Sequence, residues 1–82
     1  MKHLVGASLE ALTSEICRAR AKFPESDHLV VALGEEFGEL CQAFLQGQPI
    51  EKIRGEALQV ACVAMRIYEE GDPTLAGLKG KL

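Results

Sequence analysis

From Ala57 to Tyr68 only Gln59 and Arg66 are strongly polar. A helix that is apolar nearly all round needs cover on most of its sides. The chain that must provide it has 82 residues and 8.9 kDa, enough for one small domain. A chain of that size hides only about 60–65% of its unfolded surface when it folds. Its remaining helices are too few to enclose this one. A second copy of the chain is the economical cover, so an oligomer with this helix at its centre is expected.

Apolar residues make up 48% of the chain and aromatic residues only 5%. That aliphatic, Ala-rich set favours closely packed helices over strands, and no repeat of about 20–50 residues suggests a solenoid. Residues 1–7 read as a loose lead-in. Ser8 is placed to cap a first helix whose Leu9, Leu12, Ile16, Ala19 and Phe23 recur at three- and four-residue steps. The segment Phe23-Pro24-Glu25-Ser26-Asp27 breaks it, with Ser26 or Asp27 as the next cap. A second helix is expected from about His28 to Gln46, stopped by Gly47, with Leu29, Leu33, Phe37, Leu40 and Phe44 as its core stripe. Gly34 and Gly38 lie inside it at about 1 kcal/mol each relative to Ala, which suggests a close-packing surface.

Pro49 opens a third helix that should bend near Gly55 and run to Glu70, ending at Gly71. Asp72-Pro73 then caps a short fourth turn through Leu78. The expected fold is all-α: one domain over residues 1–82, an antiparallel bundle of three main helices plus a short C-terminal helix. Oligomerisation, as a homodimer or homotetramer, completes it.

Lys and Arg number 9 against 12 Asp and Glu, a net charge of −3, so the basic footprint of a nucleic-acid-polymer binder is missing. No apolar run is long enough to span a membrane, and Glu10 interrupts the short run Leu4-Val5-Gly6-Ala7 before it resembles a signal peptide. A cytoplasmic protein is expected. Cys17, Cys41 and Cys62 form no Cys-x-x-Cys pair and read as reduced, buried thiols.

The acidic residues are concentrated. Glu35, Glu36 and Glu39 crowd one side of the second helix, and no Lys or Arg lies between His28 and Lys52 to relieve them. On the third helix Lys52, Glu56, Gln59, Arg66 and Glu70 trace one narrow polar stripe. If the two helices pack antiparallel, Glu36 and Glu39 face Glu56 and Gln59. Facing carboxylates repel unless protons or a cation intervene, and oxygen-only ligands suit magnesium or manganese. A solvated acidic face is the competing account of the same residues. A di-iron carboxylate site needs Glu-x-x-His, whereas this chain has Glu39-x-x-Gln42 and Glu56-x-x-Gln59.

The segment Ala32-Leu-Gly-Glu-Glu-Phe-Gly-Glu-Leu-Cys-Gln-Ala-Phe44, followed by Glu56-Ala-Leu-Gln-Val-Ala-Cys-Val-Ala-Met-Arg66, resembles the MazG-like all-α nucleoside triphosphate pyrophosphohydrolases. The likeness covers residues 25–72 or so. It implies a helical oligomer that cleaves a (deoxy)nucleoside triphosphate to the monophosphate and pyrophosphate with magnesium, in nucleotide-pool clean-up. It implies Glu36, Glu39 and Glu56 as metal ligands and Glu35 as a ligand or as the base for the attacking water. Gln59 stands where the family's second motif has Asp, and its carbonyl can still ligate. Lys52, Arg54 and Arg66 are the candidate phosphate contacts. The Gln59 departure also supports a second expectation, a catalytically weakened relative that binds nucleotide or a protein partner.

Overall fold

The computed structural model describes residues 2–72, with side chains from residue 6 onward. Three α-helices account for most of them: α1 (Lys2–Lys22), α2 (Leu29–Leu45) and α3 (Ile50–Glu70). The lead-in expected over residues 1–7 is instead the first turns of α1 from Lys2 onward, and Ser8 lies inside the helix. Nothing between Lys2 and Ala7 breaks a helix except Gly6, whose cost of about 1 kcal/mol is tolerated. The fourth turn expected after Asp72 lies outside the described residues.

α2 and α3 form a helical hairpin. Gly47 takes a left-handed backbone at φ 65°. It donates to the Phe44 carbonyl at 3.1 Å, while Gln48 donates to the Ala43 carbonyl at 3.0 Å. That pair of bonds is the glycine-terminated helix end that satisfies otherwise orphaned carbonyls. Pro49 occupies the N-cap of α3, one position before the expected one, and α3 continues through Gly55.

α3 packs against both other helices, whereas α1 and α2 make no helix–helix contact with each other. Glu15 meets Gln59, and Arg20 meets Glu69 and Glu70, so α1 runs parallel to α3 and only α2 runs antiparallel to it. A groove is left between α1 and α2, with α3 as its floor.

The end of this assembly near Glu70 is closed by polar bonds. Arg66, only 3% exposed, donates to both Glu70 carboxylate oxygens at 2.9 Å. Arg20 reaches the same carboxylate from α1 at 2.6 Å, and the Ser26 hydroxyl donates to it at 2.9 Å from the α1–α2 connection. These bonds, Arg66 first, hold the Glu70 carboxyl down at about 2.

The start of α2 is capped from a distance. Neither Ser26 nor Asp27 caps it; His28 holds the N-cap position with a left-handed backbone at φ 64° and no side-chain cap bond of its own. Asp72, just beyond α3, accepts from the His28 and Val30 backbone N–H groups at 3.0 Å each. An anion at a helix N-terminus satisfies free donors and complements the helix dipole.

Burial is thin. Among the described residues the buried apolar set is Ile16, Leu29, Ala43 and Cys62. Phe37 and Phe44, expected in the core stripe, are 57% and 69% exposed, because the stripe is wider than the surface α3 offers it. Cys17 and Cys41 are exposed free thiols rather than buried ones; Cys62 alone is buried. Side chains added at Gly34 and Gly38 would meet nothing within 4 Å, so no close approach among the described residues uses them. Among the described residues no helix is long and apolar enough to cross a membrane.

Two outcomes follow from the polar closure. Asp72→Ala should destabilise the fold by about 1–2 kcal/mol through the lost cap, read as a lower urea or thermal midpoint; an unchanged midpoint would contradict the capping role. Glu70 has a folded pKa below its ordinary value of 4.5, so its stabilisation is complete at neutral pH. It is lost as pH falls from about 4.5 to about 2. Glu70→Gln should flatten acid unfolding across that window, and an identical acid profile would count against this.

Candidate metal centre

The antiparallel α2–α3 pairing brings three of the predicted acids together. One carboxylate oxygen each from Glu36, Glu39 and Glu56 lies within 4.8 Å of the others. Glu36 and Glu56 are partly buried and Glu39 is exposed. They come from two helices because Glu36 and Glu39 are three apart on α2 and Glu56 sits opposite on the α3 polar stripe.

The electrostatics of the cluster are unresolved by protein partners. Lys52 pairs with Glu56 Oε1 at 2.9 Å. The other oxygen, Glu56 Oε2, is buried with no hydrogen-bond partner among the described residues. Burial pushes the Glu36 carboxyl above its ordinary range, and the nearby Glu39 and Glu56 charges add to the shift. Three carboxylates against one ammonium leave a surplus of negative charge, and an orphaned buried oxygen requires an explanation. A hard divalent cation with oxygen ligands supplies one: it would use Glu56 Oε2 and offset the charge. An all-oxygen donor set suits magnesium and manganese alike.

Other predicted residues lie elsewhere. Glu35 is exposed beside Glu36, on the rim of the α1–α2 groove. Gln59, expected beside Glu36, Glu39 and Glu56, instead donates from Nε2 to Glu15 Oε2 on α1 at 2.6 Å. Arg66 is buried and engaged by Glu70 and by the Glu25 carbonyl at 3.3 Å. Arg54 is exposed, 3.8 Å from Glu51, and lies beside the hollow that α3 forms with Ser8 and Ala11 of α1.

The groove has a volume of about 460 Å³, within the usual range for small-molecule sites. Glu35 and Glu36 stand at its α2 wall, Gln59 and Cys62 on its floor, and Arg18 and Lys22 on its α1 wall. Glu15, which also pairs with Arg18, was not singled out from sequence. Its signal was available: Glu15, Arg18 and Lys22 follow the same three- and four-residue spacing as the apolar stripe beside them.

The Glu15–Gln59 bond yields a prediction. Gln59→Asp replaces the amide donor with a carboxylate facing Glu15, and like charges at such range disfavour ionisation. The variant should melt lower than wild type at neutral pH without metal, and adding Glu15→Gln should restore the midpoint. Equal midpoints for wild type and Gln59→Asp would mean that the bond contributes nothing. In comparisons with known proteins, no family model, curated protein or solved structure matches this chain.

Proposed function

We propose that the chain is the subunit of a magnesium- or manganese-dependent nucleoside triphosphate pyrophosphohydrolase. The observation that carries this is the convergence of Glu36, Glu39 and Glu56 around a buried Glu56 oxygen without a partner among the described residues, Glu36 standing on the wall of the groove and Glu39 and Glu56 lining a neighbouring hollow with Lys52. The sequence resemblance described above supports the same activity. In the proposed reaction a water oxygen bonds to the α-phosphorus of the triphosphate. The bond from that phosphorus to the bridging oxygen breaks, pyrophosphate leaves and the nucleoside monophosphate remains.

Each side chain has a task in that reaction. Glu36, Glu39 and Glu56 hold the cation, and Glu35, exposed beside them, accepts the proton lost by the attacking water. The bound cation supplies charge screening of the phosphates and activation of the water. Lys52 stays against Glu56 and sets its orientation. Arg18 and Lys22 offer positive charge along the groove for phosphate oxygens. Phe23, Val31 and Val63 along the groove give the bound nucleoside apolar contacts.

A second reading has one observation in its favour. Gln59 is tied to Glu15 and brings no negative charge to the cluster, which suits a weakened relative that binds nucleotide without turnover. Pyrophosphate release from a panel of canonical and modified (d)NTPs, with magnesium or manganese, separates the two. Turnover that falls by at least about 100-fold in Glu36→Gln or Glu56→Gln is expected of an enzyme whose cation ligands are removed. Nucleotide binding with no pyrophosphate from any substrate would leave the second reading standing.

A metal titration tests the centre without turnover. Magnesium or manganese should raise the wild-type melting point and leave Glu36→Gln and Glu56→Gln unmoved. Without metal, Glu36→Gln should itself melt higher than wild type near neutral pH. The raised Glu36 pKa means that its stability contribution is lost as pH rises through the folded value. A wild-type midpoint indifferent to both cations would refute the metal centre.

A further inference from the structure

The three acids stand between two spaces of different chemistry. On one side is the groove, with Glu36 on its α2 wall and apolar surface from Phe23, Val31 and Val63. Further along the hairpin, toward its turn, Glu39 and Glu56 line a second hollow of about 300 Å³ with Gln42, Gln46, Gln48 and Lys52. Its one apolar lining residue among the described residues, Ala43, is buried.

The hollow has donors to spare. Lys52 bonds to Glu56 Oε1 at 2.9 Å, and an ammonium has three hydrogens to give. Gln46 accepts from Gln48 Nε2 at 3.4 Å through its side-chain oxygen. Its own NH2 group is left without a partner among the described residues. Gln42 precedes Gln46 by one helical turn, on the same side of α2.

We propose that this hollow is the subsite for the β- and γ-phosphates of the substrate, the part that leaves as pyrophosphate, with Lys52, Gln42 and Gln46 as its donors. The subsite rests on the pyrophosphohydrolase reading and adds the direction in which the substrate lies. The nucleoside occupies the groove, the α-phosphate stands beside the acids, and the phosphate tail points toward the hairpin turn. A space with so little apolar surface offers a base nothing to stack on, whereas ammonium and amide hydrogens suit charged phosphate oxygens. Of the three basic residues expected at the phosphates, only Lys52 lies beside the acids with donors unspent. Arg54 lines a different hollow, and Arg66 donates to Glu70 and the Glu25 carbonyl.

Charge makes the subsite conditional. Glu36, Glu39 and Glu56, when ionised, carry three negative charges against the one positive charge of Lys52. The bare cluster therefore repels pyrophosphate, and a divalent cation brings the sum to zero. Pyrophosphate should bind only with the cation present, and should tighten the cation by the same factor in return.

Calorimetry tests this without turnover. With magnesium in excess, inorganic pyrophosphate should bind the wild-type chain, and leaving magnesium out should abolish the binding. The double variant Gln42→Ala/Gln46→Ala should bind pyrophosphate at least about tenfold more weakly, the loss expected for two hydrogen bonds to a charged group. Both positions are exposed, so its melting point, and the rise of that point with magnesium, should match wild type. A nucleoside monophosphate should bind both chains alike. Pyrophosphate that binds both chains equally, binds without a cation, or does not bind at all would overturn the subsite. Monophosphate formation from (d)NTPs judges the reaction separately. Turnover with pyrophosphate binding indifferent to the double variant removes the subsite and leaves the activity. Variant-sensitive pyrophosphate binding without turnover leaves the subsite and removes the activity.

Discussion

One carboxylate holds the three helices to one another at a single end. Glu70 takes two hydrogen bonds from the buried Arg66 guanidinium, one from Arg20 on α1 and one from Ser26 in the connection to α2. A guanidinium 3% exposed would be a severe liability without a partner of matching geometry, and Glu70 supplies it four residues on. Arg66 in turn reaches the Glu25 carbonyl, so the turn that reverses the chain is anchored to α3 as well. With so few apolar side chains buried, these polar bonds set where α1 and α2 lie on α3, and thus how wide the groove between them is.

Helix type and the three main helices were legible because periodicity and punctuation agreed: Pro24 and Gly47 sit between apolar stripes that each repeat at helical steps. Helix starts were less legible. α2 begins on a residue without a useful capping side chain, and its cap comes from Asp72, a relation between distant positions that local propensity does not encode. The acidic cluster could be read from spacing alone, since three- and four-residue steps place Glu36 and Glu39 toward Glu56 once the hairpin is granted. The partner of Gln59 could not. Glu15 belongs to a helix whose parallel register against α3 is set by packing rather than by any turn.

α2 is a two-sided element. Glu35, Glu36 and Glu39 occupy one side and Phe37, Cys41 and Phe44 the other, with Leu29 and Ala43 buried between against α3. The apolar surplus that made α3 look like a lone buried rod is thus shared between two helices. Its unburied part gathers on a common face behind the acids. Any force that holds that face still also fixes the spacing of the acids in front, since both ride on the same rigid helix.

The cap on α2 has a consequence for the order in which the structure can form. The hairpin between α2 and α3 closes through a short turn, so its contacts are local and inexpensive in chain entropy. The bonds that fasten the other end join residues 41 to 50 positions apart, and the groups that make them, Arg66, Glu70 and Asp72, are all translated after α2 is complete. Until they arrive, the first turn of α2 lacks its anion and α1 lacks the second of its two polar ties to α3, the one at Arg20. The groove is therefore a late product of folding, and a chain stalled before Glu70 would have three helical segments but no fixed space between α1 and α2.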